Sequence, residues 1–142
     1  MQRSASAVWK GNLREGAGIV STQSGVLRDT PYSFTTRFEN TLGTNPEELI
    51  AAAHAACFSM ALSVQLMNAQ LTAEKIETSA ELTFEKLEAG WTISKIHLDV
   101  SARVPGASPE AFAKAAESAK ANCPVSRVLK AEITMSASLE SE

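Results

Sequence analysis

The rhythm of apolar and polar positions changes twice along the chain, and each change marks a new kind of element. Up to about residue 38, short apolar runs alternate with turn residues: residues 5–9, a glycine-rich stretch over 11–18, residues 19–22, then Ser24-Gly25. This pattern predicts short antiparallel strands. In residues 32–38, Tyr32, Phe34 and Phe38 share one face at a period of two, while Ser33, Thr35 and Arg37 share the other, so this run is predicted as a strand that points Arg37 away from the aromatics.

From residue 46 the period becomes helical. Asn45-Pro46-Glu47-Glu48 combines an Asn cap, a proline at the first helical position, acids in the first turn and an Asn-x-x-Glu spacing that resembles a capping box. Over residues 49–67 the only polar breaks are His54, Cys57, Ser59, Ser63 and Gln65. A helix with no clear wet face is buried on most sides, within the domain or against a second subunit. Alternation returns over residues 76–86 and 91–104, predicting two strands joined by a hairpin at Glu88-Ala89-Gly90. Ser108-Pro109-Glu110 opens a second helix with Phe112, Ala115, Ala116 and Ala119 on one stripe. Pro124 starts a short helical turn, and residues 131–139 read as a final strand. Strands, helix, strands, helices, strand is a segregated α+β order, not an alternating β-α-β one. No Gly-rich phosphate loop or Gly-Lys-Ser/Thr is present in the sequence.

Composition narrows the function classes. A chain of 142 residues, 44% hydrophobic, has material for one core, so a single domain over 1–142 is expected. A net charge of -3 without basic clusters disfavours nucleic acid and anionic membranes as partners. The first ten residues have no apolar stretch behind Arg3, and no run of roughly 18 residues is free of polar breaks, so neither a signal peptide nor a membrane span is expected and the cytoplasm is the predicted location. In that reducing compartment two cysteines are not a disulfide scaffold; redox chemistry and simple packing remain.

Cys57 lies in mid-helix, away from the N-terminal N–H groups that acidify thiols, and burial raises its pKa. A nucleophilic Cys57 therefore needs a cation from elsewhere, for which Arg37 is a candidate. Cys123 precedes Pro124 at a helix start, a position expected near the surface. His54 is three positions before Cys57 on one helical face. That spacing permits a Cys–His dyad or a metal site, but only His97 and Cys123 remain as further soft donors, and no orienting third residue is readable. A helix-packed histidine with its ring nitrogens satisfied is the expected role of His54, and no cofactor is indicated.

Two longer stretches carry a resemblance. Thr44-Asn45-Pro46-Glu47-Glu48-Leu49-Ile50, continuing through His54-Ala55-Ala56-Cys57-Phe58-Ser59-Met60-Ala61-Leu62, resembles the central-helix motif of the OsmC/Ohr family of osmotically inducible and organic hydroperoxide resistance proteins. Cys123-Pro124-Val125-Ser126 with Val128 to Ile133 is similar to that family's second motif. The resemblance implies antiparallel strands around a long buried central helix in an intertwined homodimer. It implies a thiol peroxidase that reduces organic hydroperoxides, and hydrogen peroxide less efficiently, in oxidative and osmotic stress defence. Cys57 would attack and Cys123 would resolve, an external dithiol (a lipoylated or thioredoxin-like protein) would reopen the disulfide, and Arg37 and Glu47 would activate the thiolate. His54 and Thr36-Arg37-Phe38-Glu39 favour the OsmC branch; in the Ohr branch Arg14 would take the place of Arg37. Phe34, Phe38, Phe58 and Met60 are expected around the substrate. A rival of another class is a binder of acyl chains with inert cysteines.

The helix also predicts its own partner. Glu47 and Cys57 are ten residues apart, about 15 Å along a helix axis and about 80° around it. A glutamate in the same site as Cys57 would then have to come from a second copy of the chain, which would also cover the alanine-rich helix.

Overall fold

The computed structural model describes all residues, Met1–Glu142. The chain forms two compact units, residues 1–49 and 50–142, with the boundary falling inside the long helix.

In the first unit, β1 (Ala5–Lys10), β2 (Ala17–Thr22) and β3 (Thr30–Tyr32) form an antiparallel sheet in that order. The register puts Trp9 opposite Gly18 and Gly18 opposite Tyr32. The two rings meet over the glycine with centroids 5.5 Å apart; a Cβ on Gly18 would stand 2.6 Å from the Tyr32 ring and 2.7 Å from the Trp9 ring, so the aromatic contact depends on the missing side chain.

The strand predicted over residues 32–38 is a strand only to Tyr32. Phe34–Phe38 is a short helix, α1. Ser33 caps it: its Oγ accepts from the Thr36 N–H at 3.4 Å, and its own N–H donates to Thr36 Oγ1 at 2.9 Å. These local bonds close a capping box with threonine in the usual place of an acid, and they override the period-two alternation. Arg37 consequently leaves from a helix, with its guanidinium 5.3 Å from the Phe38 ring centroid, and does not sit on a polar strand face opposite the aromatics.

The long helix α2 covers Pro46–Asn68. Asn45 Oδ1 accepts from the Glu48 N–H at 2.8 Å, as an N-cap should. The Glu48 carboxylate accepts from Thr44 Oγ1 at 3.0 Å. By length and composition α2 could cross a membrane, a match the polar breaks did not foretell. Yet His54, Phe58, Leu62 and Leu66, four apart, are fully buried, and the three apolar ones belong to the core of the second unit. Within this chain α2 buries that one stripe. Ala52, Ala53, Ala56, Met60, Val64 and Met67 are exposed on other faces.

The second unit carries β4 (Lys75–Leu87) and β5 (Gly90–Arg103), an antiparallel hairpin with a register shift at Thr83/Phe84. Then come α3 (Pro109–Asn122), α4 (Pro124–Val128) and β6 (Glu132–Leu139). β6 runs parallel to β5, giving the order β4-β5-β6. The fold class is α+β, as expected, but this pair departs from all-antiparallel pairing. Such a pair requires a crossover long enough to return the chain to the same end, and α3 and α4 supply it. Ile96, Leu98, Val100 and Ala102 alternate inward along β5 and join Phe58, Leu62, Leu66, Phe112, Ala115, Ala116, Ala119 and Cys123 in one core.

Candidate active site

Residues that the sequence pointed to occur in both units. In residues 1–49 they form an ion pair beside an aromatic cleft. Arg37 Nη2 lies 2.8 Å from Glu47 Oε1, and Arg37 Nε donates to Oε1 at 3.1 Å and to Oε2 at 3.3 Å. The guanidinium thus engages both carboxylate oxygens, the geometry that fixes an arginine in orientation as well as position. Glu47 is nearly buried, while the Arg37 side chain is 36% exposed, so charge is presented outward from an anchored base. Asn45 brings the two elements together: its Nδ2 donates to the Thr36 carbonyl of α1 at 2.9 Å while its Oδ1 caps α2. The neighbouring cleft, about 260 Å³, is lined by Trp9, Leu13, Tyr32, Phe34, Arg37 and Phe38. Phe34 and Phe38 lean on each other at 4.9 Å, and Arg14 lies 4.9 Å above Phe34. A cation at the rim of an apolar cleft can hold a polar oxygen group whose remainder is hydrocarbon.

In residues 50–142 they are a pair of thiols. Cys57 and Cys123 are free cysteines whose side chains are close enough for each to feel the other, and the Val125 N–H at the start of α4 faces Cys57. Cys57 is half-buried and Cys123 wholly buried. The surface position expected for Cys123 is therefore corrected: it caps the short α4, but α3 and α4 fold it inward and its sulfur joins the core. Burial pushes the Cys57 thiol up, the neighbouring Cys123 raises it further, and the Val125 N–H opposes both. A protonated thiol does not attack peroxides, so these surroundings call for a cation beside the sulfur.

Next to the thiols, His54 is fully buried with Nε2 2.8 Å from Ser126 Oγ. Its Nδ1 is buried without a hydrogen-bond partner, and burial holds its pKa below the ordinary value. It is packed as expected but not fully satisfied, since Nδ1 lacks a partner, and its bond to α4 was not foreseen. The available signal was the repeated spacing of three: His54 to Cys57 on α2, and Cys123 to Ser126 on α4. The role of Asn45 beyond capping was likewise missed, because it depends on α1.

Of the residues expected around a substrate, Phe34 and Phe38 line the aromatic cleft. Phe58 lies fully buried in the core cluster; it faces inward from α2 because it shares the stripe of Leu62 and Leu66, so its ring packs the core and is not an open wall. Met60 is 72% exposed on another face of α2.

A segregated α+β fold with a half-buried thiol in mid-helix, a second, buried thiol beside it and an anchored arginine is the arrangement of a two-cysteine protein. The OsmC-like protein family matches residues 38–138. A protein named Peroxiredoxin OsmC from Escherichia coli (strain K12) is 51% identical over 141 residues, covering 99% of both chains. The chain belongs to the OsmC-like family. Among solved structures, an OsmC-like protein of unknown function from Vibrio cholerae superposes with a TM-score of 0.77 at 17% identity, covering 97% of this chain and 99% of its own. The organic hydroperoxide resistance protein OhrB of Bacillus subtilis does so with a TM-score of 0.67 at 22% identity, covering 96% and 98%. These two share the fold.

Proposed function

We propose that the protein is a cysteine-based peroxidase of organic hydroperoxides, in which Cys57 attacks and Cys123 resolves. The closeness of the two thiols is the observation that carries this reading: residues 66 positions apart in sequence become neighbours only because α3 and α4 return the chain to α2. The thiolate of Cys57 donates an electron pair to the terminal peroxide oxygen and the O–O bond breaks. The oxygen stays on sulfur as a sulfenic acid, and the departing alkoxide takes a proton from solvent to become the alcohol. Cys123 then attacks that sulfur, a disulfide forms, and the hydroxyl leaves as water with the Cys123 proton. The disulfide blocks further oxidation, and an external dithiol, a lipoylated or thioredoxin-like protein, reduces it.

Arg37, oriented by Glu47, supplies the cation that stabilises the thiolate and holds the peroxide oxygens, while the Phe34 and Phe38 cleft takes the alkyl part. Hydrocarbon walls favour alkyl hydroperoxides over hydrogen peroxide. α2 runs unbroken from Pro46 to Asn68, which keeps Glu47 about 15 Å along the axis from Cys57. We therefore assign Arg37 and Glu47 to the site of a partner copy in a homodimer, and the exposed apolar surface of α2, with Met60, Val64 and Met67, to the subunit interface. The relative's match along the whole of both chains supports reading 1–142 as a single functional domain, and we place it in the cytoplasm in stress defence.

The test is turnover with dithiothreitol and, in turn, cumene hydroperoxide, a lipid hydroperoxide and hydrogen peroxide. The expected order is alkyl over hydrogen peroxide, abolished by Cys57→Ser, with Cys123→Ser limited to one oxidation followed by sulfinic acid. Zero turnover on all three substrates refutes the reading.

A further inference from the structure

Two rungs, not one, join α2 to α4. His54 and Cys57 are three apart on α2; Cys123 and Ser126 are three apart at the start of α4. The lower rung is the pair of neighbouring thiols, and the upper is the 2.8 Å bond between His54 Nε2 and Ser126 Oγ. Between Cys123 and Ser126 lies Val125, whose N–H reaches Cys57. Cys123 caps, and Val125 and Ser126 lie on, a helix of only five residues, Pro124–Val128, too short to hold its place by its own backbone bonds. Something in the surroundings has to fix it.

His54 is an expensive way to fill a core position. It is fully buried, its Nδ1 has no partner, and an unsatisfied buried nitrogen destabilises where a leucine would not. What a leucine cannot provide is the bond from Nε2 to Ser126.

We propose that His54 is a positioning residue for the resolving step: through Ser126 it holds α4 in the register that keeps the Cys123 sulfur within reach of Cys57. This rests on the two-cysteine reading above. It assigns no proton transfer to the imidazole, which stays neutral and bonds the Ser126 hydroxyl through Nε2 in either tautomer. Disulfide formation must draw the sulfurs from contact to covalent distance, and a tether one turn away limits the motion of Cys123 to that approach.

Isosteres separate the bond from mere packing. The amide of glutamine reaches the position of His Nε2, whereas that of asparagine reaches only Nδ1. We would measure two quantities for wild type, His54→Gln, His54→Asn, Ser126→Ala and the His54→Asn/Ser126→Ala double variant. The first is the equilibrium constant for the Cys57–Cys123 disulfide against reduced and oxidised dithiothreitol, which requires no peroxidase activity. The second is the rate of disulfide formation after one equivalent of cumene hydroperoxide, set against the rate of Cys57 oxidation.

His54→Asn and Ser126→Ala should each lower the disulfide equilibrium constant and the resolution rate by about tenfold, with more sulfinic acid and an attack rate changed far less. His54→Gln should restore both, and the double variant should be no worse than either single one. Equal losses in attack and resolution, no rescue by glutamine, or additive losses in the double variant would overturn the proposal, and Ser126→Ala decides it should the His54 variants fold poorly. If the hydroperoxide oxidises no variant, the peroxidase reading falls, while the dithiothreitol equilibrium still decides the role of His54.

Discussion

At the scale of single residues, burial opposes the ionisation of two neighbouring groups on α2. Cys57 is pushed up by burial and by its neighbouring thiol, and His54 is pushed down by burial alone. For His54 the sign has a consequence for stability. Its folded-state pKa lies below the unfolded value of about 6.5, so the unfolded chain binds more protons around and below that pH. The stability that goes with a neutral His54 is thus complete above about pH 6.5 and declines as the pH falls through and below it. Urea midpoints at about pH 7.5 and about 5.5 should show a larger acid loss in wild type than in His54→Gln, which has nothing to titrate there. Equal losses in the two proteins would contradict a buried neutral imidazole. Much at this scale was legible: Cys57, Cys123, Arg37 and Glu47 were all named from sequence, and the structure pairs them two by two. The depth of Cys123 and Phe58 was not legible, since it depends on which way α3, α4 and the α2 stripe face.

At the scale of elements, the signals read best where several independent cues agreed. The start of α2 had cap, proline and acids together; the hairpin of β4 and β5 had alternation and a turn; Ser108 and Pro109 marked α3. Residues 32–38 had only alternation, which a five-residue helix with one capping box overrode. The direction of β6 was invisible because strand pairing is set by distant segments. Asn45 shows how a local signal acquires a long-range role, since it caps α2 and also binds the Thr36 carbonyl of α1. Asn45→Ala should destabilise the protein by about 1 kcal/mol from the lost cap alone. It should also loosen Arg37 against Glu47 and slow oxidation of Cys57. Denaturant unfolding and stopped-flow oxidation check the two parts. Loss of stability with an unchanged oxidation rate would mean that the ion pair does not depend on this cap.

At the scale of the whole molecule, α2 buries one stripe in its own chain and exposes apolar side chains elsewhere, Met60 and Met67 among them. Exposed apolar surface of this kind is characteristic of an interface. Cys57→Ser and Glu47→Ala proteins, unfolded and refolded together, should regain activity in the mixed dimer, since one site would then combine both defects and the other neither. If Glu47 acts within its own chain, each site keeps one defect and no activity returns. Met60→Glu should shift the protein to monomer in sedimentation and lower turnover with it.

The account stands or falls on the fate of two sulfur atoms. Reduced protein is given one equivalent of cumene hydroperoxide, remaining thiols are alkylated, and peptides are mapped by mass while the alcohol is assayed. The account predicts one cumyl alcohol per chain and a peptide pair joined through Cys57 and Cys123, with neither cysteine alkylated. Both cysteines alkylated and the hydroperoxide intact would contradict it.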